Sequence, residues 1–219
     1  MADADRYVLW GSAGHARVLA DIIGLAGGQI LALFDNDPAA VSCLPGVPVR
    51  HGRAGLHAWL SEQESLAGVK AAIAIGGARG RDRVELAHEF RLAGLPLPHL
   101  IHPTAAVSAS ACMGDGCQVL AMAVVAAAVS MGEACIINNS ANVDHECRLG
   151  SGVHVAPGAV LCGCVTVGDN VMIGAGAVVL PRLRIGAGAL IGAGSVVTRD
   201  VPDGAVLTGN PASVIRIQT

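Results

Sequence analysis

Val167–Val197 reads VGDNVMIGAGAVVLPRLRIGAGALIGAGSVV, and its apolar residues return at a fixed interval: Val167, Ile173, Val179, Ile185, Ile191 and Val197. Extended backwards in steps of six, the series runs without slippage to Ile101, and all seventeen anchors are aliphatic or Met. Four residues after each anchor comes a second series, from Ala105 to Val201, that is small or apolar throughout. A period of six suits neither a helix nor a plain strand, whose periods are about 3.6 and 2. It is the signature of a parallel β-helix in which each unit supplies one short strand and one corner. Three units close one triangular turn, so the run predicts between five and six turns, with both series pointing inward.

Several details follow from that register. Cys117, Cys135 and Cys147 fall in the small inward series and are expected to fill space rather than react. The residue after an anchor is often Gly, as at Gly114, Gly150, Gly168 and Gly174, and these glycines are expected to supply left-handed corner conformations. Such an apolar solenoid needs capped ends and covered faces.

Composition narrows the function. Hydrophobic residues make up 53% of the chain and charged residues 14%, yet every apolar run is cut short by Gly, Asp, Asn or Arg. None reaches the roughly 18 residues of a spanning helix, so no membrane partner is expected. Net charge is −3 and aromatic residues are 2%, which leaves neither a basic footprint nor stacking platforms for nucleic acid. The opening MADADRYVLWGS lacks the basic, apolar and small-residue blocks of a secretory signal, and the cytoplasm is the expected compartment. Seven cysteines without a CxxC pair fit a reducing compartment.

Ahead of the repeat the pattern changes. Tyr7–Trp10 reads as a buried strand, followed by the glycine turn Gly11-Ser12-Ala13-Gly14-His15 and a helix through Val18, Leu19, Ile22 and Ile23. Ile30–Phe34 is a second strand ending at Asp35, Val69–Ile75 a third, and a helix is expected near Asp82–Ala93. Strand, glycine turn, helix, and strand with a terminal acid is the Rossmann-like plan for binding nucleotides. GSAGH is GxxG rather than GxGxxG, so the turn is either a phosphate cradle at a helix N-terminus or a tight connection. Asp35 is either an acceptor for a base or ribose or a turn residue before Pro38. The expected division is residues 1–98 as an α/β nucleotide-sugar-binding domain and 99–219 as the β-helix with a C-terminal cap.

Within the bland repeat, Asn138–Val155 (NNSANVDHECRLGSGVHV) keeps two histidines, His145 and His154, with Asp144 and Glu146 flanking the first. None of Asn138, His145 and His154 holds an inward register position, so all three are expected on the outer surface near corners. A near-neutral base beside an acid suits proton transfer. Zinc is the competing use of two histidines, but no third ligand falls at a familiar spacing, and no metal is expected.

The segment INNSANVDHECRLGSGVHVAPGAVLCG, together with LWGSAGHARVLADI and VLTGNPASVIR, resembles the bacterial nucleotide-amino-sugar N-acetyltransferases, relatives of the sialic acid O-acetyltransferases. The resemblance covers nearly the whole chain, and the DHEC segment followed by His154 is its most specific part. It implies a left-handed coil, a homotrimer with active sites between subunits, and acetyl-CoA as co-substrate. The implied acceptor is the amine of a GDP- or UDP-linked amino-dideoxy sugar, and the implied setting a glycan pathway such as lipopolysaccharide biosynthesis. By position, His145 matches the general base, Glu146 the acid orienting it, and Asn138 a residue contacting substrate near the amine. His154 matches a residue on the acetyl-CoA side, and Gly163 a backbone donor to the thioester oxygen. Gly11, Gly14, His15 and Asp35 align with the region that holds the nucleotide sugar. Gly209, Asn210 and Pro211 belong to the GNPA segment near the CoA arm. Ser213 stands where many relatives carry Lys, leaving Arg182, Arg184 or Arg199 to meet the CoA phosphates. Sugar O-acetylation, or a non-catalytic or metal-dependent β-helix, are the alternatives.

Overall fold

In the computed structural model, which describes residues 5–218, the chain forms two units. One comprises the chain up to Ile75 with Glu85–Leu100, and the other Gly76–Val84 with Ile101 onwards. Residues 1–4, the start of the stretch read for an export signal, and residue 219 lie outside the described residues. Among the described residues no helix is long and apolar enough to cross a membrane.

The N-terminal unit holds a four-stranded parallel sheet built from β1 (Arg6–Trp10), β2 (Gln29–Asp35), β3 (Val49–His51) and β4 (Val69–Ile73), in the order β3-β2-β1-β4. Helices α1 (Gly14–Leu25), α2 (Gly52–Ser61) and α3 (Gly80–Leu92) connect or follow the strands, and α3 begins in the second unit. β1 is buried over Tyr7–Trp10, as a strand covered on both sides must be. α1 buries Ala16, Leu19, Ile22 and Ile23, one stripe at helical spacing. Trp10 packs on Phe34 at 5.9 Å between ring centroids and on Phe90 at 6.1 Å, so a few large aromatics fill this core. β3 and α2 were not legible in the sequence. β3 is three residues long and its burial is only partial, which leaves no periodic signal.

The second unit is a left-handed parallel β-helix. Two-residue strands β5 (Leu100–Ile101) to β21 (Val196–Val197) recur every six residues and stack eighteen apart into three sheets. The register is direct: Ile136 lies opposite His154 and Ile137 opposite Val155. Val119 to Val197 and their partners from Cys117 to Val201 point inward and form one continuous apolar core, in which Leu183 is only partly buried and Ser195 brings a buried hydroxyl. The exception is Ile101, which is 39% exposed. Cys117, Cys135 and Cys147 are fully buried free thiols, each donating to a carbonyl of the next coil at 3.1–3.2 Å.

The corner glycines have a different job from the one expected. Left-handed backbone occurs three residues after the anchors from Met113 to Ile191, not one, and is taken both by glycines such as Gly152 and Gly176 and by non-glycine residues such as Glu146 (φ 59°) and Cys164 (φ 62°). The glycine directly after an anchor is needed for close stacking instead. A Cβ on Gly150 would lie 2.7 Å from the backbone nitrogen of Asp169, one coil on. Coil spacing is fixed by main-chain hydrogen bonds, so the backbone has no room to yield.

The coil ends in a hairpin of β22 (Ala205–Gly209) and β23 (Ala212–Ile217), with β22 joined to the largest of the three sheets.

Candidate active site

His145 stands at the corner between β12 (Asn142–Val143) and β13 (Arg148–Leu149). One coil further, the same corner carries Cys162, Gly163 and Cys164, so Asp144-His145-Glu146 is stacked against Cys162-Gly163-Cys164. Main-chain bonds lock the stack: Cys164 N–H donates to the His145 carbonyl and Glu146 N–H to the Ala127 carbonyl, both at 2.9 Å. The imidazole is half exposed, and its Nδ1 lies 3.0 Å from Glu146 Oε2. A carboxylate only accepts, so Nδ1 carries the proton and Nε2 keeps its lone pair. The His145 ring, followed by the Cys164 thiol, holds the Glu146 carboxyl below the usual carboxylate range, so it is ionised at neutral pH. Asp144 accepts from the His145 backbone N–H at 2.7 Å and fixes the turn.

Gly163 acquires a steric role that sequence reading did not supply. A Cβ there would sit 2.5 Å from His145 Nε2 and 2.6 Å from its Cε1. The imidazole therefore occupies the space that any other residue would fill. Gly163 is buried and its carbonyl accepts from Arg182 N–H at 3.0 Å, so it is held from the opposite side as well.

His154 is placed differently from expectation. It was expected on the outer surface, and it does point out of the coil from β14 (His154–Val155), but it is only 5% exposed. Gly77, from the segment Gly76–Val84, covers it. His154 Nδ1 lies 3.2 Å from the Gly77 carbonyl, and Nε2 lies 3.0 Å from Asn138 Nδ2. The carbonyl can only accept, so Nδ1 bears the hydrogen and Nε2 accepts from the Asn138 amide. Asn138 Oδ1 in turn accepts from Asn139 N–H at 2.8 Å.

Arg83 anchors the covering segment and was missed in the sequence, where nothing sets it apart from its neighbours Arg79 and Arg81. It is fully buried. Its Nε donates to Ala134 O at 3.0 Å, Nη2 to Gly152 O at 2.6 Å and Nη1 to Gly77 O at 3.3 Å. Burial pulls its pKa down to about 10, and it remains charged at neutral pH.

The chain thus builds two separate polar clusters. His145, Glu146 and Gly163 share one corner. Asn138 and His154 belong to the neighbouring one, after β11 (Ile136–Ile137), with the strand β12 between them. Cys164 joins the first cluster: its Sγ lies 3.7 Å from Glu146 Oε2, and the donor atoms of His145, Glu146 and Cys164 all fall within 4.8 Å of one another. Their spacing of one coil, eighteen residues, is outside the short spacings by which zinc ligands are usually recognised in sequence.

In the N-terminal unit, Gly11 (φ 113°) must be glycine, because a Cβ would run into the Ala74 carbonyl. Asp35 Oδ2 accepts from Ser12 N–H at 3.0 Å and from Ser12 Oγ at 2.6 Å, and Oδ1 accepts from Asp37 N–H at 3.1 Å. Burial alone would raise its pKa, but these hydrogen bonds outweigh it and hold the carboxyl below the usual range. Asp35 therefore clamps the glycine turn. Gly14 and His15 open α1, whose N-cap Ala13 offers no side-chain acceptor and whose first turn holds no acid. The Ala16 N–H donates to the Ala13 carbonyl at 3.0 Å, and the positive end of the helix dipole at this turn favours an anion.

Gly209, Asn210 and Pro211 form the turn of the C-terminal hairpin, with the Asn210–Pro211 peptide cis. Pro211, Ala212 and Ser213 line a cleft of about 280 Å³ together with Arg199. Of the three arginines considered for this region, Arg199 lines that cleft.

A hexapeptide coil that displays an oriented imidazole at a corner defines a hexapeptide acyltransferase. The profile described as "PglD N-terminal domain" matches residues 6–85, and "Bacterial transferase hexapeptide (six repeats)" matches residues 164–199. PerB from Caulobacter crescentus, solved in complex with CoA and GDP-perosamine, is similar at 36% identity and a TM-score of 0.86, with 99% of each chain covered. The acetyltransferase domain of PglB from Neisseria gonorrhoeae FA1090 is similar at 33% identity and a TM-score of 0.84, over 96% of this chain and 100% of that one. WeeI from Acinetobacter baumannii AYE, at 23% identity and a TM-score of 0.75 over 95% and 99% of the two chains, shares the fold. Among curated protein sequences none matches the chain. The chain belongs to the nucleotide-amino-sugar N-acetyltransferases of the left-handed β-helix superfamily and is a sugar N-acetyltransferase.

Proposed function

We propose that the enzyme transfers the acetyl group of acetyl-CoA directly to the amine of a nucleotide-linked amino-dideoxy sugar, GDP-perosamine or a UDP-4-amino-4,6-dideoxy sugar, with His145 as general base. The observation that carries the reading is the His145–Glu146 pair at 3.0 Å, set over the gap left by Gly163. The relatives add the substrate class: PerB was solved with CoA and GDP-perosamine, and the PglB domain with acetyl-CoA.

A sugar amine is mostly ammonium near neutral pH and attacks only once deprotonated. In the proposed step the amine nitrogen bonds to the thioester carbonyl carbon while Nε2 of His145 takes the amine proton. The C–S bond then breaks, and the proton passes to the departing sulfur, giving CoA thiol and the N-acetyl sugar. Glu146 stabilises the imidazolium formed in between and keeps the ring in its Nδ1–H tautomer. The backbone N–H of Gly163 is the donor we assign to the thioester oxygen. No enzyme nucleophile is required.

Asn138 is assigned to the acceptor near its amine. His154 we assign to the acetyl-CoA side through Asn138, since both its ring nitrogens are engaged within the chain. The corner of Asn138 and that of His145 are one prism edge apart, on the order of 15–20 Å of extended chain. A single substrate pair meets both only if the corner of one copy faces the neighbouring corner of another. This supports a homotrimer with its sites between subunits, the arrangement that repeats one heterologous contact and closes. Gly11, Gly14, His15 and Asp35 are assigned to the nucleotide sugar, with its phosphates at the N-terminus of α1. Gly209, Asn210 and Pro211, with Arg199, are assigned to CoA.

The test is a panel of GDP- and UDP-linked amino sugars, with hydroxyl acceptors alongside, incubated with acetyl-CoA and read by thiol release and product mass. Acetylation of the amine is expected. Acetylation of hydroxyl acceptors alone would reject the reading.

A further inference from the structure

We propose that His145, Glu146 and Cys164 form a binding site for Zn²⁺, and that its occupancy switches off acetyl transfer. The inhibition rests on the reading of His145 as base given above; the binding does not.

Glu146 and Cys164 are one coil apart at the same corner position, share left-handed backbone (φ 59° and 62°), and so send their side chains out of the corner together. The bond from Cys164 N–H to the His145 carbonyl fixes all three Cα positions relative to one another. Glu146 Oε2 is 3.0 Å from His145 Nδ1 and 3.7 Å from Cys164 Sγ, and the three donors lie within 4.8 Å of each other. Around tetrahedral zinc, with bonds of about 2.0–2.3 Å, neighbouring donors stand about 3.2–3.6 Å apart. The side chains of His145 and Glu146 are 51% and 64% exposed, so small torsional adjustments bring the set into that range. Imidazole, carboxylate and thiolate together suit zinc, whereas Mg²⁺ and Ca²⁺ prefer all-oxygen sets. Three protein ligands leave the fourth position to water.

The consequence for catalysis follows from the protons. Zinc takes the Nδ1 lone pair, so the proton that Nδ1 carried toward Glu146 moves to Nε2, while the Cys164 thiol releases its proton to solvent. Nε2 then carries hydrogen and has no lone pair for the amine proton. Glu146 is likewise withdrawn from the imidazole. Cys164 takes no part in the direct transfer, so its thiol adds a metal ligand to the base without adding to the reaction.

The experiment uses the full-length enzyme, freed of metal by a chelator and titrated with Co²⁺ as the spectroscopic probe. Wild type should develop a thiolate-to-Co²⁺ charge-transfer band that saturates at one ion per chain and is bleached by Zn²⁺. Cys164→Ser should lose the band, and Glu146→Gln should weaken binding. Acetyl transfer is followed in parallel at buffered free Zn²⁺ by chromatography of the sugar product, because released CoA itself binds zinc. Each variant is read against its own zinc-free rate. Cys164→Ser should need at least the roughly 10–100-fold more zinc for half-inhibition that loss of even an outer-shell partner brings. A wild type without the band, or a band undiminished in Cys164→Ser, would overturn the site. Transfer at its metal-free rate with Zn²⁺ saturating the site would overturn the inhibition. Absence of product without metal would count against the proposed reaction, and the Co²⁺ spectrum would then decide the site by itself.

Discussion

His145 and His154 sit nine residues apart on the same coil, and the coil treats them in opposite ways. His145 is half exposed, with one nitrogen held by an acid and the other directed over a gap where a side chain is missing. His154 is 5% exposed, and both its nitrogens are engaged by Gly77 and Asn138. Both rings project outward from the coil, His145 from a corner two residues after its anchor and His154 from β14 directly before the next anchor, and neither position is buried by the coil itself. What separates them is what lies outside the coil: the segment anchored by Arg83 covers one, and no described residue of the chain seals the other. A β-helix supplies equivalent outer positions in quantity, and an added segment decides which of them become chemistry and which become support.

The sharpest way to break that contrast is at the exposed ring. His145→Asn should lower kcat by roughly 10²–10⁴-fold, the usual contribution of a positioned general base, with a melting temperature close to wild type because the ring is half exposed and lies outside the apolar core. Wild-type turnover in this variant would remove the assigned base. Gly163→Ala comes next. Its Cβ would meet the imidazole at 2.5 Å and displace it, and misplacement by about 1 Å costs on the order of 10²-fold. The loss should appear in kcat, with circular dichroism and melting temperature close to wild type.

Glu146→Gln tests the same corner by charge. The ring of His145 lowers the Glu146 pKa, so their pairing is present above the usual carboxylate range and lost only as pH falls through the lowered value. The glutamine variant should lose about tenfold in kcat across the neutral range, less than the roughly 10²–10⁴-fold set by loss of the base itself. A pH–rate profile identical to wild type in shape and height would show that the acid does not orient the base.

The coil was legible in the sequence because its period is enforced at every rung: an anchor that is not apolar would face the core. Cys117, Cys135 and Cys147 were readable as filling for the same reason. The DHE segment stood out because it puts two acids around a histidine where the coil before has Ala126-Ala127-Ala128 and the coil after has Cys162-Gly163-Cys164. The role of the glycines after the anchors was misread, since sequence does not tell a left-handed turn from a close approach between coils. Gly163 entered through the resemblance as a backbone donor, but its contact with the His145 ring, and that of Cys164 with Glu146, could be read only by stepping one full coil of eighteen residues, longer than any linear motif. Arg83 carried no signal at all: three arginines stand at positions 79, 81 and 83, and burial of the third depends on a fold that brings Ala134 and Gly152 to it.

The covered ring should answer in stability where the exposed one answers in rate. His154→Ala takes one hydrogen-bond partner from the Gly77 carbonyl, which keeps Arg83, and one from the Asn138 amide, at about 0.5–1.5 kcal/mol for each bond lost. At about 2–4 °C per kcal/mol for a chain of this size, the melting temperature should fall by several degrees. Arg83→Met should lower it by at least as much, because three carbonyls lose a donor. If Arg83→Met melts like wild type, the segment Gly76–Val84 is not pinned by this side chain, and the burial of His154 needs another cause.

The smallest effect concerns the thiols, and it separates the coil's inside from its corners. Cys117, Cys135 and Cys147 are fully buried, and burial pushes the Cys147 thiol up to about 11, so little reactive thiolate forms there at neutral pH. Cys112 is exposed, and Cys43, Cys162 and Cys164 are partly so. Brief alkylation of the native protein, followed by peptide mass mapping, should label Cys112 first and leave the three interior cysteines unmodified until the coil opens. Because the interior thiols stack along one continuous core, their protection should be lost together on denaturation. Labelling of Cys135 alone under native conditions would mean that single coils open independently, and the rigid spacing invoked for Gly150 and Gly163 would lose its basis.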